Sequence, residues 1–545
     1  MVLKYGLLFL NPVGWSQRYM ITMNGGMVSV TFLHTCSFIF APSKNKKIVN
    51  TNYQSYIEKS QKIADIHYAS AVLNWDMSTY MPEKGNHHRA QQLSTLTGIA
   101  HDLSTDNELG NLLEVLCKDS TLSDGEKRNV QLSQKSYLRE KKFTTEFVIE
   151  KSKAISEAYH AWVAAREAND FKIYEPSLKK LVDIVRKEAE ILDYEDHPYD
   201  ALLDLYEPDA KTNEIDAVFA DVKTYLVPFV KQILAKETPQ NNFLQKHYEK
   251  DKQWNFGMML LEKMGYDFKA GRQDISVHPF TTSFSPLDVR VTTRINEHDF
   301  TSMTWSCIHE GGHALYEQGL PVDQYGLPLG EAVSLGIHES QSRLWENCVG
   351  RSLSYWKANY SELQKSFPEN LSTVLLTDFY KAINLVKQSF IRTESDELTY
   401  HLHVFIRFEI EKGLIEGSLH VHDLPEIWNA KYKEYLGVDV PDDKTGVLQD
   451  IHWSHGSFGY FPTYSLGSFY AVQFFNQAKK DMPNLVAEIE SGNTSLLLKW
   501  LREKIHSHGK MFSAQALCER VTGEKLNFSH FMNYAKEKYG AIYSV

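Results

Sequence analysis

His309-Glu310-Gly311-Gly312-His313 sets two imidazoles and a carboxylate at the H-E-x-x-H spacing. On a helix that advances about 100° per residue, His309 and His313 fall roughly 40° apart on one face, and each can offer a ring nitrogen to one metal ion. Glu310 falls beside that face. It is poorly placed there as a ligand and well placed to take a proton from a water held by the metal. The pattern predicts a metal-dependent hydrolase, with zinc the expected ion and cobalt or manganese as substitutes. A catalytic zinc site takes a third protein ligand and keeps its fourth position open. Glu331 and Glu339 are the two candidates. Glu339 is favoured, because it and His338 open a segment in which Leu344, Trp345, Cys348 and Val349 keep helical spacing and can face the first helix. Cys307 and Cys348 are too isolated to suggest a structural cysteine site.

The elements that must position these groups are helices. From about Tyr53, apolar residues recur at spacings of three and four: Tyr56, Ile57, Ile63, Ala64, Ile66, Ala69, Val72 and Leu73. Similar runs cover residues 90–116, 145–169, 174–192, 213–235 and 251–264. One stretch breaks the rhythm. Residues 276–284 and 288–295 are β-branched and partly alternating, and Ser285-Pro286 joins them, which predicts a hairpin just before the metal helix. An exposed edge there could pair with the backbone of an extended peptide. There is no fixed-period repeat and no low-complexity linker, so residues 51–545 read as a single, mainly α-helical domain.

Composition narrows the function classes. A net charge of −11 and a pI near 6.1 argue against nucleic acid or an anionic membrane surface as partner. No apolar run approaches the ~20 residues of a spanning helix. The five cysteines form no paired pattern, which predicts reduced thiols and a cytoplasmic protein. Residues 1–50 read as an extension outside the helical pattern, disordered or misassigned. Within them, the moderately apolar Met27–Pro42 is a weak signal-like segment that would instead imply export.

Six motifs then appear in order: His278-Pro279-Phe280; Asp288-Val289-Arg290-Val291-Thr292; His309 to His313; His338-Glu339-Ser340-Gln341; Ile391 to Asp396; and Gly446 to Trp453. Together they resemble the thermostable (Taq-type) metallocarboxypeptidases, zinc exopeptidases that remove C-terminal residues from peptides. The similarity runs from Tyr53 to the last residues. Ser395 stands where that family usually has Ala. The resemblance implies a large helical body with a deep groove, related in fold to angiotensin-converting enzyme and the oligopeptidases, usually a homodimer, with zinc on His309, His313 and Glu339. Glu331 then becomes a surface or outer residue.

Peptide hydrolysis also needs donors for the oxyanion that develops in the transition state. The glycine-rich stretch 452–464 reads as a loop. By analogy with the related helical peptidases, Tyr464 and Tyr460 are the candidate donors, assisted by His452 or His455. An exopeptidase must recognise a terminal carboxylate, for which a guanidinium is suited. Arg392, on a helix expected from about Thr377 to Glu416, is the first choice. Arg290 in the hairpin is an alternative or an orienting residue, and His278 is a further substrate contact. Asp396 is expected to pair with a cation. The resulting expectation is a carboxypeptidase of broad specificity except around proline, acting on peptides with a free C-terminus. An oligopeptidase sharing the same metal residues and a non-catalytic peptide-binding protein are the alternatives.

Overall fold

The computed structural model describes residues 17–23, 26–32 and 50–545. Strands β1 (Gln17–Met23) and β2 (Gly26–Phe32) form an antiparallel ribbon with Gln17 opposite Phe32. Of the apolar stretch Met27–Pro42, residues 27–32 belong to that ribbon and the remainder lies outside the described residues.

Residues 52–545 form one compact, mainly helical unit. Its first helix, Thr51–Thr79, is long but lightly packed: Tyr53, Tyr56 and Trp75 are its only buried residues. Its middle, at Ile63, Ala64 and His67, lines a cavity of about 390 Å³ together with Arg128, Pro328 and Lys510. The 90–116 run is two helices, Asn86–Ser104 and Asn107–Cys117, because Asp106 turns its side chain onto the Glu108 amide and caps the second.

The expected hairpin is present with shifted limits, as β4 (Thr281–Ser285) and β5 (Asp288–Thr293), joined by a tight turn and bulged between Ser283 and Ser285. Residues 276–280 are not strand. The sequence pattern also misses a third strand, β3 (Gly271–Ile275), which pairs parallel to β5 and makes it the central strand. Gly271, Arg272 and Asp274 do not look like a strand on their own. A Cβ at Gly271 would lie 1.9 Å from the Val289 carbonyl oxygen, so only glycine lets this strand come so close to β5.

Helix Phe300–Glu317 packs on β4 and β5 and carries the H-E-x-x-H residues. Asp299 caps it by accepting from the Thr301 amide. Helix Leu335–Arg343 crosses it and continues as a wider π-helical stretch, Leu344–Gly350, every residue of which is buried. Helix Pro462–Asp481 covers the other side of Leu335–Arg343.

Two expectations about helices fail. The helix proposed for Thr377–Glu416 is broken: Leu376–Ile383 and Thr399–Glu416 flank an irregular segment with a single turn at Arg392–Glu394. No Pro or Gly marks the break. Tertiary contacts make it, since Gln449 donates to the Phe390 carbonyl and accepts from the Arg392 amide. Asp396 does not pair with a cation. It accepts from the amides of Lys387, Leu398 and Thr399 and from the Thr399 hydroxyl, fixing the start of the next helix.

Candidate active site

The two helices meet backbone to backbone because of Gly312. A Cβ there would lie 2.6 Å from the Ser342 Cα and 2.8 Å from the Gln341 carbonyl oxygen. Gly467 plays the same part on the far side, where a Cβ would come within 2.6 Å of the Glu339 Cβ. Gly311 instead faces the side chains of Leu261 and Met264 on helix Lys250–Met264. The paired glycines of the motif thus allow close approach of a different helix on each side.

This packing brings the Glu339 carboxylate to 3.6 Å from His309 Nε2 and 3.4 Å from His313 Nε2. One potential ligand atom from each of the three lies within 4.8 Å of the others, a separation one metal ion can bridge. The other ring nitrogens are already engaged. His309 Nδ1 is 2.9 Å from Glu346, and His313 Nδ1 is 2.6 Å from His338 Nδ1, whose Nε2 lies 2.8 Å from Glu317. These contacts are satisfied when His309 donates to Glu346, His313 to His338 and His338 to Glu317. Both Nε2 lone pairs then point inward, the tautomers a metal requires. The donor set fits a divalent ion of the zinc type.

Arg343 connects these parts. Its Nε donates to Glu339 at 2.7 Å and its NH1 to Glu346 at 3.2 Å, while Arg351 donates to the other Glu346 oxygen at 3.0 Å. Burial raises the Glu339 carboxyl, but Arg343 and the two imidazoles outweigh it and hold the group well below the usual carboxylate range. Arg343, Glu346 and Glu317 were not anticipated. Glu346 lies three residues beyond Arg343 on the same winding, a spacing that could have suggested it. Glu331, the weighed alternative, is exposed and pairs with Lys510.

Glu310 is buried beside the cluster. Thr281 on β4 donates its hydroxyl to Glu310 Oε2 at 2.6 Å, leaving the second carboxylate oxygen without a protein partner among the described residues.

The stretch 452–464 is only partly a loop. His452–His455 is one helical turn, and Pro462 opens helix Pro462–Asp481, so Tyr464 sits in its first turn. Proline at the first helical position was the available signal. The structure brings His452, Tyr460 and Tyr464 together: the Tyr464 hydroxyl is 3.4 Å from His452 Nε2, and the Tyr460 and Tyr464 rings are 5.2 Å apart. Burial raises both phenols, with Glu339 close enough to add to the effect, so both stay protonated donors. Burial, opposed by Asp450 but reinforced by Arg392 and Arg407, takes His452 down to about 4, leaving it neutral at pH 7. His455 is not part of this group. It is exposed and stacks on Tyr159 at 5.8 Å.

Arg392 is buried, donating to Asp450 at 2.9 Å and to the Tyr400 hydroxyl at 3.2 Å, with its guanidinium 5.0 Å from the Tyr464 ring. Asp450 is shared with Arg407. Arg290 lies elsewhere, in an ion pair with Asp288 at 2.9 Å and sandwiched between Trp75 and Phe284. That environment ties the first helix to the sheet. His278 is exposed in the turn before β4.

A further unanticipated group braces the loop. Glu411 is fully buried and accepts from Tyr199 at 2.6 Å, Trp453 at 2.9 Å and the Gly459 amide at 3.0 Å. Burial pushes its carboxyl up to about 7 despite these donors. The folded state therefore holds this proton more tightly than the unfolded chain, where the group titrates near about 4.3. Stability from Glu411 is complete below pH ~4 and is lost as pH rises to 7, on the order of 3 kcal/mol in all. Glu411→Gln should melt lower overall but show a flatter decline in melting temperature between pH 5 and 7. An unchanged slope would refute the assignment.

Residues 55–539 match the family model of the Carboxypeptidase Taq (M32) metallopeptidases. The chain belongs to this metallopeptidase family. A solved chain named CHT is 57% identical, with a TM-score of 0.89 over 90% of this chain and 99% of that one. The M32 carboxypeptidase from Deinococcus radiodurans R1 is 39% identical, with a TM-score of 0.90 over 91% of this chain and 100% of its own. Thermostable carboxypeptidase 1 of Thermus thermophilus is 40% identical over 505 residues, 90% of this chain and 99% of that protein. M32 membership makes this chain a metallocarboxypeptidase, a peptide hydrolase that uses a metal ion, in preference to the oligopeptidase alternative.

Proposed function

We propose a zinc-dependent carboxypeptidase in which His309, His313 and Glu339 hold the metal and Glu310 is the general base. The convergence of the two inward Nε2 atoms on Glu339 carries this reading. Zinc, when bound, supplies a Lewis acid and lowers the pKa of its water towards about 7; cobalt and manganese suit the same ligands. Glu310, held at one oxygen by Thr281, takes the proton of the attacking water on its free oxygen and returns it to the leaving amine. Tyr464 and Tyr460 donate to the developing oxyanion, and neutral His452 orients Tyr464. Edge strand β4 offers backbone groups to an extended substrate.

Arg392 reads the terminal carboxylate and shares its guanidinium with Asp450. His278 and His455 remain outer substrate contacts in this scheme, while Arg290 bears on substrate binding only through the sheet it anchors. Substrates are peptides with a free C-terminus, of broad sequence except around proline. Blocking the C-terminus as an amide should abolish cleavage of a peptide that is otherwise turned over. Equal cleavage of the blocked and free forms would refute the exopeptidase reading.

The family resemblance supports a homodimer. Free, buried Cys307, Cys348 and Cys518 suit a reducing compartment, so the cytoplasm is the proposed location. Residues 51–545 are the catalytic domain, with 1–50 outside it, in keeping with the family match beginning at residue 55. Among the described residues no helix is long and apolar enough to cross a membrane.

A further inference from the structure

Glu207 is 3% exposed and has no cationic partner among the described residues. A buried carboxyl without a counterion is costly, so its contacts must serve something. They all lie at one place, the start of helix Leu335–Arg343. Glu207 accepts from the Gly336 amide at 2.8 Å and from the Ser334 hydroxyl at 3.0 Å. The preceding carbonyl, of Tyr206, accepts from the Leu335 amide at 3.1 Å. Ser334 Oγ then takes the Ile337 amide at 3.0 Å. The first three helical amides are thereby all satisfied by two short segments of chain, which set acceptor oxygens against the positive end of the helix.

The fit allows no slack. A Cβ on Gly336 would come 2.5 Å from Glu207 Oε2, and one turn further along the same helix is Glu339, pressed against Gly467. Any rotation or slide of the helix moves the Glu339 carboxylate relative to His309 and His313.

We propose that Glu207 is a positioning residue that sets the metal affinity of the site, by fixing the axial position and rotation of the helix that carries Glu339. The inference rests on Glu339 being a metal ligand. Burial, opposed by the two donors, takes the Glu207 carboxyl up to about 7, so an uncharged glutamine is a close stand-in.

The test measures the zinc dissociation constant by chelator competition, together with melting of the metal-free protein. Glu207→Ala should weaken zinc binding about tenfold, the lower end of the range for groups bonded directly to a metal ligand, because Glu207 acts one turn away from Glu339. Glu207→Gln should restore it to within about threefold of wild type. Ser334→Ala, a smaller perturbation of the same cap, should weaken zinc binding in the same direction and keeps the test valid if Glu207→Ala does not fold. A purely structural Glu207 would lower the melting temperature of the metal-free protein and leave the zinc constant unchanged, in Glu207→Ala or in Ser334→Ala, and either result overturns the proposal. Glu339→Ala is the separate control: wild-type zinc affinity in that variant would overturn the ligand assignment itself, whatever Glu207 does.

Discussion

Glu310→Gln is expected to bind metal as the wild type does and to lose about two to four orders of magnitude in kcat, the usual worth of a positioned general base. The glutamine keeps the volume of the side chain, and its carbonyl can still accept from Thr281, so the packing between β4 and helix Phe300–Glu317 survives. The ligand trio does not include residue 310, because the helix turns it away from the line joining His309 and His313. What disappears is the basic oxygen. Metal content by elemental analysis and turnover of a free-C-terminus peptide, measured on one preparation, decide the matter. Turnover within tenfold of wild type would remove Glu310 from the role of base.

Gly312→Ala should be the most damaging single-methyl change in the chain's active site. Alanine ordinarily gains about 1 kcal/mol over glycine inside a helix. Here the added carbon would stand 2.6 Å from the Ser342 Cα, and backbone cannot swing aside as a side chain can. Overpacking of this kind costs about 1–3 kcal/mol or more. Relief requires helix Leu335–Arg343 to retreat, carrying Glu339 away from the imidazoles, so zinc retention should fall along with the melting temperature. Gly311→Ala meets only the ends of Leu261 and Met264, which can repack, and should cost less on both counts. Equal melting temperatures and metal content for the two variants would refute this account of the motif's glycines.

The contrast also marks what was legible in the sequence. H-E-x-x-H is readable because its spacing is a property of one helix, and Glu339 followed because it falls on the next, although that helix begins at Leu335, earlier than the apolar spacing from His338 suggested. Arg343 and Glu346 keep a spacing that pairs them, but nothing local shows that they turn to the metal residues, and Glu346 lies in the π-helical stretch, whose apolar residues mimic an ordinary α-helix in the sequence while the backbone is wound more widely. Glu207 and Glu411 were invisible for another reason. Their partners lie 129 and 42 or more residues away, at Gly336 and at Trp453 and Gly459, and no local pattern announces a buried carboxyl. Arg392 shows the remaining difficulty: its motif marked it, but propensity alone placed it on a continuous helix that Gln449 and Asp396 interrupt. Helical content was legible throughout, and the parallel strand β3 was not, since its pairing to β5 depends on a glycine contact rather than on alternation.

The first helix carries a consequence for how the fold comes apart. Thr51–Thr79 is held near its start by Tyr53 and Tyr56 against helix Asp124–Lys141 and near its end by Trp75 under Arg290, while its middle meets the Tyr325–Gly326 turn through the polar groups of Gln61 and Asp65 and the ring of Tyr68. A span with so little apolar area buried has a low free energy of local opening compared with helix Pro462–Asp481, which is enclosed along most of its length. Its amides should exchange with solvent before those of Pro462–Asp481, and a protease should cut it while the metal-bearing helices remain folded. Trp75 is one fastening in that picture: losing its ring would remove the surface on which Arg272 and Arg290 stack, leaving the end of the span to the Asp76–Arg89 pair.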